Sequence, residues 1–126
     1  MQLKLSNAEL VCLRDVASAT AATYGNMIAQ LRQDIRHHYD ALTITTPILA
    51  SFENEINECQ LSKAIWEEIW VHLQSRAFKL KPKYKVTITP AWAFAIRLQF
   101  NGVVERSTHS GNLLQRICDD IHQFYQ

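Results

Sequence analysis

Residues 84–108 read YKVTITPAWAFAIRLQFNGVVERST. Tyr84, Val86 and Ile88 alternate with Lys85, Thr87 and Thr89. After Pro90, the residues Trp92, Phe94, Ile96, Leu98 and Phe100 keep the same two-residue period. Alternation of this kind predicts strands with one face turned to a core. Asn101-Gly102 is a hairpin turn signal, because both residues tolerate the left-handed backbone. With Gly102 in that conformation, a three-residue loop sets Leu98 opposite Val104 and Arg97 opposite Glu105. This register keeps Glu105 off the apolar face, where an unpaired carboxylate would be costly. The stretch therefore predicts a small antiparallel sheet that helices must cover.

Outward from it, the remainder reads as helix. Leu3 and Leu5 flank Lys4, a short alternation that can add an edge strand. Ser6-Asn7-Ala8-Glu9 is a capping-box pattern. The Ser6 hydroxyl can accept from the Glu9 amide, and the Glu9 side chain can accept from the Ser6 amide. From there Leu10, Leu13, Ala17, Ala21, Tyr24, Ile28, Leu31, Ile35 and His38 step by three and four, one long stripe. Gly25 falls within it and marks a candidate kink. Thr46-Pro47 predicts a second helix, capped by Thr46, with Ile48, Leu49, Phe52, Ile56 and Cys59 on its apolar face. Ser62 predicts the cap of a separate third helix carrying Ile65, Trp66, Ile69, Trp70, Leu73 and then Ala77, with one bent helix over the same residues as the alternative. After Ser110-Gly111-Asn112 a final helix has Leu113, Leu114, Ile117, Cys118, Ile121, Phe124 and Tyr125 in phase.

The fold class is accordingly α+β. Three or four helices pack on a small antiparallel sheet containing a hairpin at Asn101-Gly102, and a helix closes the chain. One domain over 1–126 is expected, mainly helical over 1–78, with strands over 84–108 and the last helix over 111–126. A length of 126 residues, 48% of them hydrophobic, suits one core. Cys12, Cys59 and Cys118 are too few and too scattered for a disulfide framework or a zinc site and are expected as buried, reduced thiols. No apolar run reaches the roughly 20 residues of a membrane span, and MQLKLSNAEL lacks the basic and apolar blocks of a signal peptide. A cytoplasmic protein with no membrane partner is expected.

Functional signals are sparse, and the sequence does not name an activity. Residues 1–75 hold five basic and nine acidic side chains, and residues 76–126 hold eight basic and three acidic. The basic run Arg76, Lys79, Lys81, Lys83 and Lys85, extended by Arg97 and Arg106, is a candidate surface for a nucleic-acid phosphate backbone. A solvated loop and strand edge, where lysines discourage edge pairing, is the favoured reading of the same run. Ala91, Ala93 and Ala95, on the back of the predicted second strand, form a candidate interface, because small side chains permit close approach. Asp34/His38, Glu68/His72 and Asp119/His122 have helical ligand spacings, but such pairs are common on wet helix faces. Phosphate-cradling loops, nucleophile elbows and dinucleotide fingerprints are missing from the sequence. No cofactor and no metal are expected, and catalysis is not. The partner expected is a second copy of the chain or another protein, with nucleic acid as the alternative.

Overall fold

The computed structural model describes residues 1–77, 81–100 and 109–126. Six elements follow in order: strand β1 (Gln2–Ser6), helix α1 (Asn7–Asp40), helix α2 (Thr46–Ala77), strand β2 (Lys83–Thr87), helix α3 (Pro90–Phe100) and helix α4 (His109–Phe124). The α+β class holds: four helices pack on a small antiparallel sheet, and a helix closes the chain.

The sheet differs from the one expected. It pairs β1 with β2, with Leu3 opposite Val86 and Leu5 opposite Tyr84. The pairing continues past the strands, where the Ile88 amide donates to the Met1 carbonyl at 2.9 Å. Leu3, Leu5, Tyr84 and Val86 point inward and are buried. Gln2, Lys4, Lys83 and Lys85 point outward, as the two-residue period requires.

The expected second strand, 91–100, is helix α3. Thr89 caps it: its hydroxyl accepts from the Trp92 amide at 3.2 Å, and its carbonyl accepts from the Ala93 amide at 3.0 Å. Pro90 occupies the first helical position, where its missing N–H costs nothing. The Asn101-Gly102 turn and the return strand over 103–108 lie outside the described residues.

The capping box at the start of α1 is present, with the Ser6 amide donating to Glu9 Oε1 at 3.0 Å and the Glu9 amide to Ser6 Oγ at 3.2 Å. α1 continues through Gly25 to Asp40. It ends in a Schellman-type turn, in which the Thr43 amide donates to the His38 carbonyl at 2.9 Å. Leu42 occupies the left-handed position at φ 57°, where glycine is usual. α2 is one continuous helix, so the expected break before Ser62 is corrected. The poorer formers Asn57, Cys59 and Gln60 are carried by packing on α1, which overrides weak propensity. The cap of α2 also moves by one residue: Thr45 Oγ1 accepts from the Ile48 amide at 3.3 Å, and the Thr45 carbonyl accepts from the Leu49 amide at 2.9 Å.

One apolar core draws on all six elements, with Leu3, Leu10, Leu13, Trp66, Leu73, Val86, Ile96, Ile117 and Ile121 among its buried members. It occupies one end of the α1–α2 hairpin. A helix of 34 residues is about 50 Å long. Core packing reaches only as far as Tyr24 on α1 and Ile65 on α2. Over 25–64, Ile28 and Cys59 alone are buried. The distal half of the hairpin therefore stands out as an arm.

Candidate functional site

Helix α3 is apolar on two sides. Ala93, Ile96 and Phe100 step by three and four and are buried. Phe100 meets Trp66 edge-on, with ring centroids 6.1 Å apart. Ala91, Phe94 and Leu98 take the same spacing on the opposite side and are exposed, Phe94 by 67% and Leu98 by 66%. A surface helix in a globular protein ordinarily carries one apolar stripe and one polar face. Here the outward face holds two large hydrophobic side chains one turn apart.

The start of α3 is anchored on α2. The indole Nε1–H of Trp92 donates to Glu68 Oε2 at 3.1 Å, and the Trp92 ring lies 5.3 Å from the His72 imidazole. Arg76 Nε donates to His72 Nε2 at 3.4 Å. Burial, helped by the Arg76 charge, lowers the His72 pKa and favours the neutral acceptor that this bond requires. The far end of α3 is tied to α4, where Arg97 Nη2 lies 3.1 Å from His122 Nδ1. These ties hold the exposed ridge in place.

The three alanines do not share a face. In a strand Ala91, Ala93 and Ala95 would line one side; in α3 Ala91 is exposed, Ala93 is buried and Ala95 is half-buried. That candidate interface is corrected by the change of period from two to 3.6. Phe94 and Leu98 were assigned to the core by the same period and are instead the exposed pair. Thr89-Pro90, a cap followed by proline, was the available signal for this.

The basic run is only partly gathered. Lys81, Lys83 and Lys85 are exposed, and Lys83 and Lys85 share the outer sheet face with Lys4. Lys4 stands directly opposite Lys85, a cross-strand pair of like charges. Sequence reasoning missed Lys4, although its place between Leu3 and Leu5 is the signal. Arg76 lies on α2 beside His72, and Arg97 lies on α3, so neither belongs to the sheet face. Lys79 and Arg106 lie outside the described residues.

The candidate ligand pairs are engaged separately. His38 Nδ1 lies 2.8 Å from Thr43 Oγ1, and Asp34 accepts from Gln30 at 2.9 Å. Glu68 accepts from Trp92, and Asp119 accepts from Gln115 at 2.8 Å. Among the described residues no three metal-ligating side chains converge. The Cys118 thiol is pushed up to about 11 by burial, with Asp119 adding and Arg97 opposing, the reverse of an activated nucleophile. The strongest polar knot is structural: Arg116 pairs with the buried Glu9, donates to the Lys4 carbonyl at 2.9 Å and pairs with Asp120 at 2.7 Å. Among the described residues no helix is long and apolar enough to cross a membrane.

No protein-family model, no curated protein and no solved structure matches the chain.

Proposed function

We propose that this protein is a small non-enzymatic interaction module that self-associates. The observation that supports this best is the outward face of α3, where Phe94 and Leu98 are exposed one turn apart on a helix fixed at both ends. Grouped exposed apolar side chains mark interaction surfaces more reliably than scattered ones do. Covering each such side chain contributes up to about 1.5–3 kcal/mol, to be set against the cost of bringing two chains together. The raised Cys118 thiol speaks against that residue as a nucleophile, and no three metal-ligating side chains converge among the described residues. We place the module in the cytoplasm, a setting in which Cys59 and Cys118 stay reduced.

Light scattering after size exclusion, at low and high salt, tests the reading. A dimer that persists in high salt, and that becomes a monomer on Phe94→Glu with Leu98→Glu, is expected. A wild-type monomer at both salts refutes it.

A second reading rests on the sheet. Lys4, Lys83 and Lys85 share one exposed face, none ion-paired among the described residues, and a phosphate backbone would relieve the Lys4–Lys85 repulsion. Nucleic-acid binding that falls steeply with salt and is weakened by Lys83→Glu with Lys85→Glu is its expected sign. Salt-insensitive or absent binding removes it.

A further inference from the structure

A polar cleft of about 750 Å³ opens where the outer face of β1 meets the flank of α4. That volume is typical of sites that hold small organic ligands. The two-residue period builds its floor: Gln2 and Lys4 point outward from β1, and Lys83 stands on β2 opposite Ser6. Its wall is α4, where Arg116, Asp120 and Gln123 step by four and three and Phe124 follows at the end. The bond from Arg116 to the Lys4 carbonyl, at 2.9 Å, fixes wall to floor.

Charge in the cleft divides into a balanced part and an open part. At the base, Arg116 pairs with the buried Glu9 and, at 2.7 Å, with Asp120, so one guanidinium already holds both carboxylates of the lining. Lys4 and Lys83 are exposed and have no ion-pair partner among the described residues. Lys4 also faces Lys85 across the strands, so three ammonium groups share a sheet face that carries no acid. An anion with several acceptor oxygens relieves that crowding through charge-assisted bonds to more than one lysine.

The rest of the lining exceeds what a bare anion needs. Phe124 is 59% exposed, and its ring is set edge-on against Tyr125 with centroids 4.9 Å apart. Gln2 and Gln123 add exposed amides, which both donate and accept. An aromatic ring beside paired cations is the combination that takes a stacked base together with its phosphate.

We infer that this cleft binds a nucleoside phosphate, with Lys4 and Lys83 on the phosphate and Phe124 against the base. The inference is independent of self-association. It shares Lys4 and Lys83 with the nucleic-acid reading of the sheet face, but Lys85 does not line the cleft and Phe124 does not belong to the sheet, so the two can be told apart.

Calorimetric titration of the full chain with adenosine monophosphate, at low salt, tests this. Lys4→Ala with Lys83→Ala weakens binding about tenfold or more, as two charge-assisted contacts are lost. Phe124→Ala weakens it about fivefold or more, the loss of one stacked base, and leaves the binding of inorganic phosphate unchanged. All three side chains are exposed, so these variants keep the core. Lys85→Ala changes the titration far less than either. An oligonucleotide with a terminal phosphate separates the two sources of the ligand: binding no tighter than the monophosphate identifies a free nucleotide, and tighter binding that still needs Phe124 identifies a strand end. No binding of the monophosphate at millimolar concentration, or binding indifferent to Lys4, Lys83 and Phe124, overturns the inference. Oligonucleotide binding that then depends on Lys85 and not on Phe124 leaves the sheet-face reading standing without the cleft.

Discussion

Glu9 offers the sharpest test of how the fold is held, because one carboxylate does two separable jobs. Oε1 accepts from the Ser6 amide in the capping box, and Oε2 takes the Arg116 guanidinium of α4. Burial alone would raise the Glu9 pKa, but the bond from Arg116 and the bonds with Ser6 outweigh it, and the net shift is downward. Glu9→Ala removes both jobs. The lost return bond of the cap costs about 1 kcal/mol. The lost charge-assisted bond costs about 1.5–3 kcal/mol. Arg116 is 44% exposed, so water re-solvates it and the second value belongs at its lower end. A total of about 2–3 kcal/mol follows from these two terms. Glu9→Gln keeps the cap, since glutamine serves that position equally, and loses the charge, a cost of about 1 kcal/mol. The sign of the pH dependence is fixed by the depressed folded value. The Glu9 contribution is complete above the ordinary carboxylate range of about 4–4.5 and is lost as pH falls through the folded pKa. Urea midpoints at fixed protein concentration, at pH 7 and pH 3, read this directly. Wild type and Glu9→Gln should differ at pH 7, and the gap should narrow at pH 3. A gap equal at both pH values, or a glutamine variant as unstable as the alanine one, would refute the division of labour.

Three further outcomes can be checked by simple means. Leu42→Gly should raise stability by up to about 1 kcal/mol in thermal or urea unfolding, because Leu42 holds a left-handed φ of 57° with its side chain almost wholly in water. Gly25→Ala should stabilise α1 by about 0.5–1 kcal/mol, since a Cβ there meets only the Lys63 Cε, at an ordinary 3.4 Å. Cys118 should react with iodoacetamide at pH 8 far more slowly than a solvent-exposed thiol, as mass-spectrometric mapping would show, because its thiolate is scarce below a pKa of about 11.

Local rules carried the sequence reading where one period was present. Leu3-Lys4-Leu5 was legible as a strand, and Ser6 to Glu9 was legible as a helix start, because each signal admits one geometry. Residues 91–100 are apolar at nearly every second position and also at 93, 96 and 100, so they satisfy both periods. What decides between them is the Thr89-Pro90 cap and the β1–β2 pairing, which completes a sheet without residues 91–100. The error then spread to the candidate interface, since a two-residue period groups the alanines and a 3.6-residue period groups Phe94 with Leu98. The basic run was legible as charge but not as a surface. Only the register shows that Lys4, from the other end of the chain, faces Lys85, and that Arg76 and Arg97 belong elsewhere.

The stripe on α1 was legible over its whole length, and there the structure adds something that pattern alone does not hold. The apolar positions continue through Leu31, Ile35 and His38, while core packing stops near Tyr24. On α2 the same excess runs through Phe52 and Ile56, both half-buried. Two helices facing each other cover one side of each stripe, and a lone two-helix layer leaves the flanks to water. The His38 ring, tilted against Phe52 with centroids 5.5 Å apart, makes the farthest of these contacts, close to the tip of the arm. A chain stabilised only as a monomer would gain by ending its stripes with its core, since each half-covered apolar residue forfeits part of the roughly 25 cal/mol per Å² that burial returns. The excess stripe and the outer face of α3 are thus two separate stretches of apolar surface that this fold covers only in part or not at all. Both are left open to water among the described residues, the first over the arm and the second over the core end.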